Sequence, residues 1–182
     1  MDRVHQAGDN QVERVAALEE YLTLARAHEG ERWFDAAAWS EDLADSYLAL
    51  GRVDDAVRTI SDATRSGRAE CAEMLCELAE KLMRSGYEPQ ARLSWQQARV
   101  GYPDDVWMYV QAGIGYGDIG DHAAALEWLT TGLDLGLRTG DPEPALEQIR
   151  PLRASCLSAL GRPSDEIQQR AGQGERGSTG ER

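Results

Sequence analysis

The side chains that could do chemistry in this sequence are plentiful in one kind and sparse in the others. There are 32 acidic residues against 19 basic ones and three histidines, a formal net charge of −13 at neutral pH. Carboxylates serve as general acids and bases when they are held in a pocket at a matched pKa, and abundance alone supplies neither condition. Thiols come from Cys71, Cys76 and Cys156. On a helix the five-residue step from Cys71 to Cys76 turns the two to different faces. With the scattered His5, His28 and His122 they fall short of a zinc ligand set. They read as buried, reduced thiols of a cytoplasmic protein. No HExxH, CxxC or nucleophile-elbow pattern occurs. Gly113-Ile114-Gly115-Tyr116-Gly117 has the glycines of a phosphate cradle, but it lies inside a helical period and not after a strand. Close helix packing is its first reading, and local flexibility is the second. The sequence therefore predicts no enzyme, no cofactor and no metal.

Charge and hydropathy exclude further classes. Residues 1–80 hold 18 acids and 8 bases, net −10, and the remainder is net −3. So acidic a chain is a poor match for nucleic-acid phosphates. No apolar run approaches the length of a membrane span, and the polar start Met1–Val15 lacks the apolar core of a signal peptide. A cytoplasmic protein is expected. Lys81 is the sole lysine beside many arginines, alanines and glycines, a bias that looks like a high-G+C bacterial coding sequence.

What would position any site is a repeated helical unit. In residues 71–103, Leu78, Ala79 and Leu82 form one stripe at helical spacing, and Ala91, Trp95 and Ala98 form the next. Gly86 stops the first helix, and Pro89 stands in the first turn of the second. The unit recurs. Gly51, Gly86 and Gly120 are 35 and 34 residues apart. Ala44, Ala79 and Gly113 precede them by seven residues; Ala56, Ala91 and Ala125 follow by five, and Ala63, Ala98 and Gly132 by twelve. Large residues interleave in step: Tyr47, Leu82 and Tyr116, then Ile60, Trp95 and Leu129. Small residues let two helix backbones approach while the large ones fill the layers between them.

This phased pattern from about residue 36 to 137, closed in the middle unit by Pro103, resembles the tetratricopeptide repeat family. The aromatic that opens each repeat departs from the pattern. Trp39 lies one residue early, and Leu75 and Tyr109 take the expected place. The resemblance implies an all-α, right-handed superhelical stack of about three helix hairpins with capping helices at both ends. Residues 1–34 would form the N-terminal capping helix, with Val15, Leu18 and Leu22 inward and residues 1–10 frayed. Residues 35–161 would hold the hairpins and the C-terminal capping helix, with Asp35 and Phe34 as N-cap and staple at the start. Residues 162–182 would add a short helical extension and a disordered tail. The 41 residues from Gly120 to Gly161 leave seven beyond the period, which we assign to a longer helix after Gly120. Asp141-Pro142 would open the capping helix, in which Pro151 should cause a kink or break.

The resemblance also implies a concave ligand surface on the first helix of each hairpin, chiefly six and ten residues before the glycine. Those positions are Asp45 and Glu41, Glu80 and Cys76, then Ile114 and Val110, with Glu73, Glu77, Met83, Trp107 and Gln111 nearby. Candidate binding residues are thus Glu41, Asp45, Glu73, Glu77, Glu80, Trp107, Val110 and Ile114. The lysine, asparagine and arginine needed to clamp a peptide C-terminus are missing there. The groove would run from acidic to apolar and take a protein or peptide segment that is basic with an apolar anchor. The same acids could equally be a solvated helix face. An adaptor or chaperone-like scaffold is the first reading. A secretion-type chaperone with three such repeats, and a regulatory or structural subunit whose groove its own terminal helix fills, are alternatives. Homo-oligomers through the terminal helices are a further expectation. A DNA-binding regulator ranks low, because residues 1–34 are too short and acidic for the required helix-turn-helix.

Overall fold

Four glycines punctuate the chain in the same way. Gly51, Gly86, Gly120 and Gly161 have φ of 71°, 81°, 79° and 62°, a left-handed conformation that costs other residues a clash at Cβ. Just past each, a backbone amide turns back to close the preceding helix. Arg52 donates to the Tyr47 carbonyl at 2.8 Å, Tyr87 to Leu82 at 2.9 Å, Asp121 to Tyr116 at 3.0 Å and Arg162 to Leu157 at 2.8 Å. Each glycine amide donates three residues back as well, completing a Schellman motif four times over. The chain reverses after every one, so the period in the sequence becomes a period of helix hairpins.

The computed structural model describes residues 2–27, 36–65, 72–140 and 143–169. Its helices are α1 (Asp2–Ala27), α2 (Ala36–Ala49), α3 (Val53–Arg65), α4 (Glu73–Arg84), α5 (Glu88–Gly101), α6 (Val106–Asp118), α7 (His122–Thr139) and α8 (Glu143–Ala159), followed by one helical turn at 166–169. No strand occurs among the described residues. The hairpins are α2/α3, α4/α5 and α6/α7. Successive hairpins stack through α4 on α6 and α3 on α5, while α1 packs on α2 and α8 on α7 and α6. This is a tetratricopeptide-type helical solenoid with a further helix at each end.

The small and large positions account for the stacking. Ala56, Ala91 and Ala125 are fully buried, as are Ala79, Ala98 and Ala112. Ile60, Trp95 and Leu129 fill the layers between them, also buried. Gly132 has no room for a larger residue, since a Cβ there would lie 2.6 Å from the Tyr109 Cβ. Trp128 sits among Trp95, Tyr109 and Tyr116 with ring centroids 5.8–6.4 Å away, close enough for tilted and offset aromatic contacts. Polar ties cross the hairpins. Arg92 on α5 donates to Asp121, the N-cap of α7, at 2.7 Å and lies 4.8 Å from the Tyr116 ring centroid.

Three expectations are corrected by the backbone. Helix α1 begins at Asp2, so residues 2–10 are helical and not frayed; their backbone bonds extend the helix where no apolar period announces it. Of the kink or break expected at Pro151, the break is absent: α8 runs through it from Glu143 to Ala159. A proline removes one helical hydrogen bond, here the one to the Glu147 carbonyl four residues back, and the helix continues on either side of that single gap. The seven residues beyond the period do not all lengthen α7. At 18 residues against 14 in α5, α7 gains about one turn, and α8 gains another at 17 against 13 in α6. Phe34, Asp35, Asp141, Pro142 and the tail expected to be disordered lie outside the described residues.

Candidate functional site

The first helices of the hairpins, α2, α4 and α6, lie side by side and form one wall of the stack, with two unlike junctions between them. At the α2–α4 junction, Lys81 reaches across from α4 and binds both carboxylate oxygens of Asp45 at 2.7 and 2.9 Å, with Glu77 at 3.9 Å. The recess there, bordered by Glu41, Asp45, Met74, Glu77 and Lys81, has only ≈ 10 Å³ of space. That is about the room one water needs. Asp45 is therefore held by a lysine of its own chain, and the acidic wall read from the sequence is partly neutralised at this junction.

The α4–α6 junction is open at both ends. Glu73, Cys76, Asp105, Trp107, Met108 and Gln111 line a recess of ≈ 390 Å³. Glu80, Met83, Arg84, Ile114, Asp118 and Ile119 line another of ≈ 300 Å³. Trp107 and Ile114, seven residues apart on α6, are both exposed, as is Ile119. Two turns of helix separate Trp107 from Ile114, or about 10 Å, so one apolar ridge joins the two recesses. Among the described residues, four carboxylates and one arginine surround it. One of the four has a structural duty: Asp105 is the N-cap of α6 and accepts a bond from the Met108 amide at 3.2 Å.

Val110 does not join this ridge. It is 1% exposed and belongs to the core, as does Cys76 at the matching position ten residues before Gly86. On α4 this position points toward the neighbouring first helix, where Cys76 meets Trp107 and Met108 across the junction. Burial there is what stacks the hairpins, and it withdraws Val110 from any ligand. Of the eight candidates, Glu73, Glu80, Trp107 and Ile114 thus share the open groove. Glu41, Asp45 and Glu77 share the closed junction, and Val110 lies beneath. Lys81, Asp118 and Ile119 were missed by the sequence reading. Asp118 and Ile119 lie one helical turn after Ile114, which was the available signal; the reach of Lys81 across to α2 had none.

No group of three or more histidine, cysteine or acidic side chains could hold a metal ion among the described residues. Cys76 and Cys156 are buried thiols outside any disulfide, and burial pushes the Cys156 pKa up, away from the reactive thiolate. The perturbed carboxylates are structural. The Arg92 guanidinium, and then the Ala124 amide, hold Asp121 below the usual range. Arg153 does the same for Asp165. Neither Asp121 nor Asp165 lines the groove. Among the described residues no helix is long and apolar enough to cross a membrane.

Hairpins phased by Schellman glycines, with small residues at the crossings and a groove along the first helices, make this a tetratricopeptide-repeat-type helical solenoid. No protein-family model matches the sequence, and no curated protein matches it. Solved structures do. MamA of AMB-1 is 13% identical with a TM-score of 0.47, the match covering 93% of this chain and 97% of that one. A tetratricopeptide repeat protein from Parabacteroides merdae is 15% identical over 91% of this chain and 71% of the other, with a TM-score of 0.42. A thermophilic TPR protein of Thermus thermophilus is 20% identical over 92% and 95%, with a TM-score of 0.37. The assignment of fold rests on the hairpin geometry itself.

Proposed function

We propose that the protein is a non-catalytic, cytoplasmic scaffold, an adaptor or chaperone-like module, that binds a segment of another protein in the groove between α4 and α6. The observation that carries this reading is the ridge of Trp107 and Ile114, exposed between two recesses rimmed by carboxylates. A bound segment supplies an apolar anchor to the ridge and basic side chains to Glu73, Glu80 and Asp118. Affinity comes mainly from the buried apolar anchor, since exposed ion pairs contribute about 0–1 kcal/mol each. The acids instead raise the local potential and speed capture. A second reading, a subunit of a larger assembly, uses the same groove with a folded partner. A displayed library of short random peptides tests the proposal. Enriched sequences should carry arginine or lysine beside an aromatic or aliphatic residue, and Trp107→Ala should lose them. Enrichment of acidic sequences, or equal binding to Trp107→Ala, contradicts it.

A further inference from the structure

On the opposite side of the stack, α5 carries large apolar side chains on its outward face. Leu93 is 59% exposed and Val100 is 82% exposed. Their seven-residue separation returns both to one face of the helix, about 10 Å apart. Gln96 and Gln97 stand between them, both exposed. Together with Thr64 and Tyr102 these side chains wall a recess of ≈ 680 Å³ between α3 and α5, with buried Leu75 beside them. Among the described residues no carboxylate lines this recess, and the one charged group there, Arg65, is ion-paired with Asp62. The other recesses described above each carry at least two carboxylates.

We propose that this face is a contact between two copies of the chain, with α5 packed antiparallel on the second copy's α5 about a two-fold axis between Gln96 and Gln97. The face reads the same in either direction: apolar, glutamine, glutamine, apolar. Antiparallel packing sets Leu93 of one copy against Val100 of the other, twice, and the glutamines against each other, the self-matching that a two-fold interface requires. Gln97 Oε1 already accepts a bond from Ser61 Oγ at 2.8 Å, which leaves its amide nitrogen to donate across the axis. The self-matching selects the occupant, and the lack of carboxylates among the described residues of the recess permits it. Two chains of net charge −13 repel one another, so they approach most readily where the touching surface bears no carboxylates. A contact of one helix pair beside a shallow recess is small, so the dimer is weak and concentration-dependent.

Sedimentation equilibrium between about 10 μM and 1 mM, the range suited to so small a contact, tests this. The wild-type mass should rise from 20.1 kDa toward twice that value, and more readily in high salt, which screens the repulsion. Val100→Glu should stay monomeric with an unchanged circular dichroism spectrum. The double variant Leu93→Lys/Val100→Glu places opposite charges across the axis twice and should dimerise again at low salt. A wild-type chain that stays monomeric throughout, or a Val100→Glu chain that dimerises equally well, overturns the contact. A double variant that stays monomeric overturns the antiparallel register. Retention of library peptides by monomeric Val100→Glu separates this result from any failure of the α4–α6 groove.

Discussion

At the scale of single residues the fold depends on the sizes of side chains at helix crossings and on a few buried polar pairs. Ala91 is fully buried where α4 and α5 cross. Ala91→Leu adds three carbons to a filled layer and should cost about 1–3 kcal/mol; a thermal melt checks it, and an unchanged Tm would place the crossing elsewhere. Arg153 shows the opposite economy. It is 2% exposed, and its guanidinium binds Thr130 Oγ1 at 2.9 Å, both Asp165 carboxylate oxygens and Gln168. Desolvating such a pair offsets most of its attraction, yet removing one partner strands a buried charge. Asp165→Ala should therefore cost about 3 kcal/mol, and adding Arg153→Met to it, which removes the stranded charge, should recover part of that loss. Urea titrations of the single and double variants check this, and a larger loss in the double variant would reverse the argument. The sequence announced Ala91, because its phase with Gly86 repeats in three hairpins. It did not announce Arg153, which stands one residue before the small position in α8, where α2 and α4 carry Leu43 and Leu78. The replacement of a leucine by a buried arginine becomes intelligible only once Asp165 folds back on it.

At the scale of elements, the caps tie stability to pH. Asp121 starts α7 and Asp165 starts the last helical turn, accepting bonds from the Ala124 and Gln168 amides at 3.1 Å each. Arginine bonds hold both carboxyls below their ordinary pKa of 3.8. A depressed carboxyl pKa stabilises the fold above the unfolded-state value and is lost as pH falls through the folded-state one. The urea midpoint should hold steady from pH 7 to about 5 and decline below about 4. Asp121→Asn should flatten part of that decline, and an identical decline in the variant would assign it to other groups. The C-terminal helix is equally testable. A Cβ at Gly136 would lie 2.6 Å from Leu146 Cδ2, so α7 and α8 are in close apposition. Truncation after Gly140 uncovers α7, including Leu133, and should cause aggregation or association. A monomeric truncated chain of unchanged Tm would show that α8 is not a cap. Element order and hairpin phase were legible because glycine and small-residue spacing is a backbone requirement. Helix lengths were not, because the seven extra residues could join either helix that flanks the Gly140 turn.

At the scale of the whole molecule, one solenoid presents an acidic groove between α4 and α6 and an uncharged apolar face on α5. The groove was half legible. Counting back from each glycine leads to Glu80 and Ile114, which line the recess between α4 and α6, but also to Val110, which is buried because the same count marks the position that stacks one hairpin on the next. It also placed Glu41 and Asp45 on a ligand wall that Lys81 has closed. The lysine's partner lies 36 residues away in sequence, a distance over which no local pattern carries information. The acids therefore differ in rank. Glu80→Lys should slow association with a basic, apolar-anchored peptide, while Glu41→Lys should have the smaller effect. Trp107→Ala should leave association nearly unchanged and speed dissociation, because the anchor acts after encounter. The most direct test is surface-plasmon kinetics with a library-selected peptide on wild type, Glu80→Lys, Trp107→Ala and Arg58→Ala, the last an exposed arginine on α3, away from the α4–α6 groove. A ligand seated between α4 and α6 requires a slower on-rate for the first variant, a faster off-rate for the second and wild-type behaviour for the third. Wild-type kinetics for both groove variants, together with loss of binding in Arg58→Ala, would contradict it.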